Sequence, residues 1–143
     1  MLVMDNPRTK NFAPLHIPRP DSAPPWPAQV EMILTAIETG QHARPERRSL
    51  PRASYRVQAM LQLFSDMPGL PARDIYTRDA NQRGLGFITP HRLPLGYGGM
   101  LEIVSPDGQM RTIHCTLLRC REAAPDWYEG SLYFNRQQME FSL

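Results

Sequence analysis

Residues 55–64 have the sequence YRVQAMLQLF, and this stretch decides the fold class. Apolar residues occupy every second position in it: Tyr55, Val57, Ala59, Leu61 and Leu63. Because successive side chains of a strand point to opposite faces, this alternation predicts a strand with one buried face over residues 54–64. The strand is expected to end at Met67-Pro68-Gly69, since proline lacks an N–H donor and glycine favours turns.

Five further short strands are predicted along the rest of the chain. They cover residues 73–78, 84–89, 100–104, 109–121 and 131–134. Ser105-Pro106-Asp107-Gly108 has the composition of a hairpin turn. Short strands joined by turns are typical of a small antiparallel barrel or sandwich. We expect a mainly β fold, a six-stranded antiparallel barrel, with a short C-terminal helix over residues 135–142.

An amphipathic helix is predicted ahead of these strands, over residues 28–39. Pro27 suits the first helical position, and Gly40 suits a left-handed cap after the last turn. The apolar residues of the helix recur at i, i+3, i+4 and i+7: Val30, Ile33, Leu34 and Ile37. Three parts are therefore expected: a proline-rich arm (1–27), this helix with a linker (28–43), and the barrel domain (44–143).

Composition excludes several classes of function. The chain has 143 residues, a formal net charge of +2 and no apolar run of membrane-spanning length, so neither a membrane span nor a long nucleic acid partner is expected. The start of the chain does not resemble a secretory signal, because any apolar run is interrupted by Asp5, Asn6, Pro7, Arg8 and Lys10. Cys115 and Cys120 lie five apart on one predicted strand and should point to opposite faces, as free thiols. A cytoplasmic protein is expected.

No catalytic or metal-binding residues are predicted. The four histidines fit no nucleophile, metal or acid–base pattern: His16, His42, His91 and His114. The sequence therefore predicts a protein that is not an enzyme and has no cofactor.

The densest run of positive charge lies between the predicted helix and the first predicted strand. Arg48 and Arg52 are four positions apart in it, so both guanidinium groups can reach one ligand from a curled loop. By itself such a run is usually a solvated surface. The run contains five arginines and one glutamate: Arg44, Glu46, Arg47, Arg48, Arg52 and Arg56.

A second polar element precedes the strand at 84–89. Asp79 and Asn81 have side chains that bond to local backbone in turns or to a ligand, and Gly84 tolerates a close approach of the backbone. Alone, this element is explained by a turn.

In this order, the two elements resemble the PilZ domain, a bacterial receptor module for cyclic di-GMP. Arg48-x-x-x-Arg52 is similar to the family's arginine motif, and Asp79-x-Asn81-x-x-Gly84 is similar to its second motif. Leu117–Arg121 and Trp127–Gly130 resemble the family's last pair of strands. The resemblance covers residues 44–135 and implies a PilZ-like barrel that binds the nucleotide.

The resemblance also implies roles for individual residues. Guanine O6 and N7 accept both arms of an arginine fork, and a carboxylate can accept N–H groups of its Watson–Crick edge. The ligand-binding residues implied are Arg47, Arg48 and Arg52 on phosphates and guanines, Asp79 and Asn81 on a guanine, and Gly84 beneath it. The family commonly has serine where this chain has Asn81, a departure that either preserves the hydrogen bond or crowds the guanine.

Three interpretations remain open at this point. The first is a cyclic di-GMP receptor that passes its signal to a protein partner through the N-terminal segment. The second is a PilZ-like adaptor that has lost the nucleotide and binds a protein. The third is an oligonucleotide-binding barrel, which the low net charge and the lack of a series of stacking aromatics disfavour. The sequence favours the first.

Overall fold

The computed structural model describes residues 27–41, 50–66 and 69–143. The predicted arm lies outside these ranges except for Pro27. Within them, no helix is both long and apolar enough to cross a membrane. The elements in chain order are α1 (Ala28–Gln41), β1 (Ala53–Ser54), β2 (Gln58–Leu63), β3 (Arg73–Asn81), β4 (Gly84–Thr89), β5 (Gly98–Val104), β6 (Met110–Ala124), β7 (Trp127–Phe134) and a 3₁₀ turn (Met139–Phe141).

Six of the strands close into an antiparallel barrel, which confirms the predicted fold class. Around the barrel the order is β2, β5, β6, β7, β4, β3 and back to β2. The seventh strand, β1, pairs with β3 beyond the end of β2. The barrel is filled by the inward side chains of all six strands, among them Leu61, Ile75, Phe87, Ile113, Leu117 and Phe134.

The first predicted strand, 54–64, is broken in two by a side chain. The hydroxyl of Thr77 lies 2.6 Å from the carbonyl oxygen of Tyr55 and accepts the N–H of Val57 at 2.9 Å. This hydroxyl satisfies backbone groups that a neighbouring strand would otherwise pair. The alternation of buried residues continues through the break, so the predicted buried face is present although the ladder is interrupted.

Helix α1 packs on the outside of the barrel and confirms the predicted amphipathic helix. Its apolar stripe covers three outward-facing side chains of β3, β4 and β7, namely Tyr76, Ile88 and Trp127. Arg56 forms ion pairs with Glu31 and with Glu38, the latter at 2.6 Å, and thereby joins the helix to the segment between β1 and β2. The expected cap at Gly40 is wrong, because α1 continues to Gln41.

The last strand begins earlier than predicted. β7 starts at Trp127, and Gly130 lies within it rather than in a preceding turn. A Cβ at Gly130 would lie 2.4 Å from Cζ of Phe87, so the glycine makes room for a core ring. The chain reverses instead at Asp126, whose φ is +64°.

The predicted C-terminal helix is a single 3₁₀ turn. The polar residues 135–138 offer no apolar stripe that could dock a longer helix. One side chain, Phe141, is fully buried and contacts the rings of Tyr55 and Phe134, with centroids 5.5 and 5.6 Å away. The turn therefore closes one end of the barrel through a single anchor.

We expect the helix–barrel contact to contribute measurably to stability. Leu34 is fully buried between α1 and the barrel, so Leu34→Ala should lower the free energy of unfolding by about 2–5 kcal/mol. Met32 lies on the exposed side of the same helix, and Met32→Ala should change it by less than about 0.5 kcal/mol. Urea unfolding of both variants checks this, and equal losses would contradict the described packing.

Candidate ligand-binding surface

A β-bulge in β3 turns a carboxylate to the outside of the barrel. Thr77 points inward, so regular alternation would also point Asp79 inward. The register between β3 and β4 shifts between these two residues, and Ala80 is the next residue to be buried in the core. Arg78 and Asp79 consequently both lie on the outer face. A Cβ at Gly86 would be 2.6 Å from Nη2 of Arg78 and 2.8 Å from Oδ1 of Asp79, so a side chain there would displace the ends of both.

A second bulge in β6 has the same effect on an arginine. Leu117 is buried in the core, and the register between β6 and β7 shifts between Leu117 and Arg119. Arg119 is thereby turned outward, and Cys120 packs against the interior cluster that contains Cys115. The expectation that the two cysteines face opposite sides is therefore wrong. Both are free thiols, and burial raises the pKa of the Cys115 thiol to about 12.

The two bulges lie at the same level of the barrel. Asp79 pairs with Gly86, Gly86 with Ser131, and Ser131 with Arg119. These four residues form a row across β3, β4, β7 and β6, with two small residues in the middle. Three strand spacings of ~4.8 Å separate its ends. The row is thus a shallow floor bounded by an acid at one end and a base at the other.

Six charged side chains cover this floor and its surroundings, and we call them the charged strip: Arg52, Arg78, Asp79, Arg119, Arg121 and Glu129. Nη2 of Arg52 donates to Oγ of Ser131 at 3.0 Å, and Nη1 lies 3.7 Å from Oδ1 of Asp79. Asp79 also accepts the N–H of Gly86 and the Nε–H of Arg78, both at 3.1 Å.

Glu129 is the second acidic centre of the charged strip. It contacts three arginines: Nη1 of Arg78 at 3.3 Å, Nε of Arg121 at 2.6 Å and Nη2 of Arg119 at 3.9 Å. Four arginines thus face two carboxylates. The side chains of Arg78 and Glu129 are 2% and 8% exposed, so water screens the attraction within this pair only weakly.

Asn81 shapes the turn beside the charged strip. Its Oδ1 accepts the N–H groups of Arg83 at 2.8 Å and Gly84 at 3.1 Å, which closes the turn between β3 and β4. Its Nδ2 donates to the carbonyl oxygen of Leu50 at 2.5 Å. Since Leu50 precedes Arg52 by two residues, Asn81 fixes the chain that carries Arg52.

Four of the six predicted ligand-binding residues lie together on this face. Arg52, Asp79 and Asn81 are described above. A Cβ at Gly84 would lie 2.2 Å from the carbonyl oxygen of Leu132 and 3.4 Å from Nη2 of Arg52, so the absent side chain lets the arginine lie close to the barrel. Arg47 and Arg48 lie outside the described residues.

Other members of this surface carry no motif that assigns them to a site, among them Arg78, Glu129 and Ser131. The period-two alternation of apolar residues along the strands did contain a signal for the two bulges. Asp79 and Arg119 both fall at positions that period two assigns to the core, where an unpaired charge is costly. A charge at an inward position of a strand therefore indicates a bulge.

The chain shows little similarity to known proteins. No protein-family model matches the chain. No curated protein matches it either. Among solved structures, the inhibitor of motility (MotI/DgrA) of Bacillus subtilis is similar, with a TM-score of 0.49 and 15% sequence identity. The match covers 66% of this chain and 45% of that one, so this chain matches less than half the length of that protein.

We expect Glu129 to be required for the stability of the charged strip. Glu129→Gln leaves the buried guanidinium of Arg78 facing a neutral amide, and the loss of a buried partner should cost about 3 kcal/mol in the free energy of unfolding. Glu122 is exposed two strand positions from the end of β6, and Glu122→Gln makes the same chemical change as a control. Denaturant unfolding of both variants measures the difference, and indistinguishable midpoints would refute the described contacts.

Proposed function

We propose that the charged strip binds cyclic di-GMP and that the protein is a cytoplasmic receptor for this nucleotide, without catalytic activity. One observation carries the proposal. Arg52 and Asp79 come from two elements of sequence that are 27 positions apart, yet their side chains lie 3.7 Å from each other on one face of the barrel. Both are among the six residues that the resemblance to PilZ domains assigns to the ligand.

The chemistry of the pair suits a guanine nucleotide. A guanidinium group can donate two hydrogen bonds to O6 and N7 of guanine or to a phosphate. A carboxylate can accept the N–H groups on the opposite edge of the base. Hydrogen bonds to charged groups contribute ~1.5–3 kcal/mol each, so a few of them supply the ~8 kcal/mol of micromolar binding. Arg52 and Asp79 would exchange part of their mutual contact for contacts with the ligand.

Arg47 and Arg48 belong to the same proposal through the sequence. Arg48 precedes Leu50 by two residues and Arg47 by three, and the carbonyl group of Leu50 accepts a hydrogen bond from Asn81. The asparagine that departs from the family's serine thus anchors the end of the arginine element. This contact supports a role of Asn81 in arranging the arginines, beside its proposed contact with a guanine.

The proposed output is a change at helix α1 that a protein partner detects. The helix covers Tyr76, Ile88 and Trp127. Each of these residues is two positions from a residue of the charged strip or its floor on the same strand and the same outer face, namely Arg78, Gly86 and Glu129. A ligand that rearranges the strip therefore acts on strands that carry the helix. A ligand can shift such an equilibrium only if it binds the two arrangements with different affinity.

Replacing Arg52 should weaken ligand binding while the barrel stays folded. Arg52→Gln should weaken the affinity for cyclic di-GMP at least about tenfold, because it deletes charge-assisted hydrogen bonds. Arg136→Gln is the matched control, since Arg136 is an exposed arginine beyond β7. Calorimetric titration with cyclic di-GMP, with GMP as a second ligand, measures both variants beside the wild type.

Two results would end the receptor interpretation. One is a wild-type protein that does not bind cyclic di-GMP, which would favour the nucleotide-free adaptor. The other is a folded Arg52→Gln variant with the affinity of the wild type. Thermal unfolding of each variant distinguishes lost binding from lost folding.

A further inference from the structure

The carboxylate of Glu129 is shared among several arginines of the charged strip. Three guanidinium groups approach this one side chain, from Arg78, Arg119 and Arg121, at 3.3, 3.9 and 2.6 Å. Arg119 and Arg121 are 40% and 60% exposed, so a ligand can reach them from solvent. An anion that entered this cluster from solvent would therefore meet charged hydrogen-bond donors.

A buried donor on the floor points to the same place. The side chain of Arg78 is 2% exposed, and among the residues that the structure describes its Nη2 has no hydrogen-bond partner. This nitrogen lies over Gly86, 2.6 Å from where a Cβ would be. A buried N–H group without an acceptor is unfavourable, and an anionic oxygen that reached it would satisfy it.

We propose that Arg78, Arg119 and Arg121 form a second anion subsite, which takes a phosphodiester oxygen of the ligand bound at Arg52. This inference rests on the proposed function and specifies which part of the ligand lies where. Cyclic di-GMP has two phosphates, and the charged strip has arginines at both of its ends. The ligand would lie across four strands, with one phosphate near Arg52 and the other near Arg119.

Ser131 lies between the two ends. Its hydroxyl accepts a hydrogen bond from Arg52 on one side, and its backbone is paired with that of Arg119 in the neighbouring strand. Gly86 is its partner on the other strand. Since both central residues are small, a ligand that bridges the ends would contact the arginine side chains that lie over them, Arg52 and Arg78.

The test compares arginine variants with two ligands. Arg119→Gln and Arg121→Gln should each weaken the affinity for cyclic di-GMP about tenfold, the effect of losing one charge-assisted contact. The affinity for GMP, which has a single phosphate, should change less than about twofold. Arg136→Gln serves again as the exposed control. Arg121 is largely exposed and Arg119 is half-buried, both on the outer face of the barrel, so the variants should fold, and thermal unfolding checks this.

Three results would contradict the second subsite or the receptor proposal. If Arg52→Gln weakens cyclic di-GMP binding but both β6 variants behave like the control, the second subsite is wrong and the receptor proposal stands. If Arg119→Gln weakens GMP and cyclic di-GMP equally, the arginine contacts a group common to both ligands, and the assignment of the second phosphate is wrong. A wild-type protein that binds no cyclic di-GMP overturns both proposals.

Discussion

Two β-bulges at the same level of the barrel determine which charges reach its outer surface. Regular alternation would point Asp79 and Arg119 into a core of aliphatic and aromatic side chains, where burying a charge is strongly unfavourable. Each bulge adds one residue to its strand and reverses the direction of the side chains that follow. The acid and the base are thereby presented at opposite ends of one row, above Gly86 and Ser131.

The charged strip depends on this placement and on the small residues beneath it. The side chains of Arg78 and Asp79 occupy the space that a Cβ of Gly86 would need, and the guanidinium group of Arg52 lies beside Gly84. Large charged side chains can therefore lie flat against the barrel and pair with one another. The same strands support helix α1 at the adjacent outward positions. The proposed ligand surface and the proposed output thus share the same strands.

The sequence predicts the barrel well because its signals are local. The alternation in residues 55–64, the turn at 105–108 and the apolar stripe of α1 each specify their own element. What could not be predicted depends on distant contacts. The hydroxyl of Thr77 interrupts the first strand, and the ring of Phe87 explains why Gly130 lies within a strand.

For the site, residue patterns alone gave only two charged or polar elements, and the family resemblance joined them. The convergence of three arginines on Glu129 could not be predicted without the register of β6 and β7.

We propose that the outer face of β3, β4, β7 and β6 is the ligand surface. Amide NMR spectra recorded while cyclic di-GMP is added test it most directly. We expect the largest shifts at Asp79, Gly86, Ser131 and Arg119, with smaller ones in α1. Shifts confined to β2 and β5, on the far side of the barrel, would contradict it.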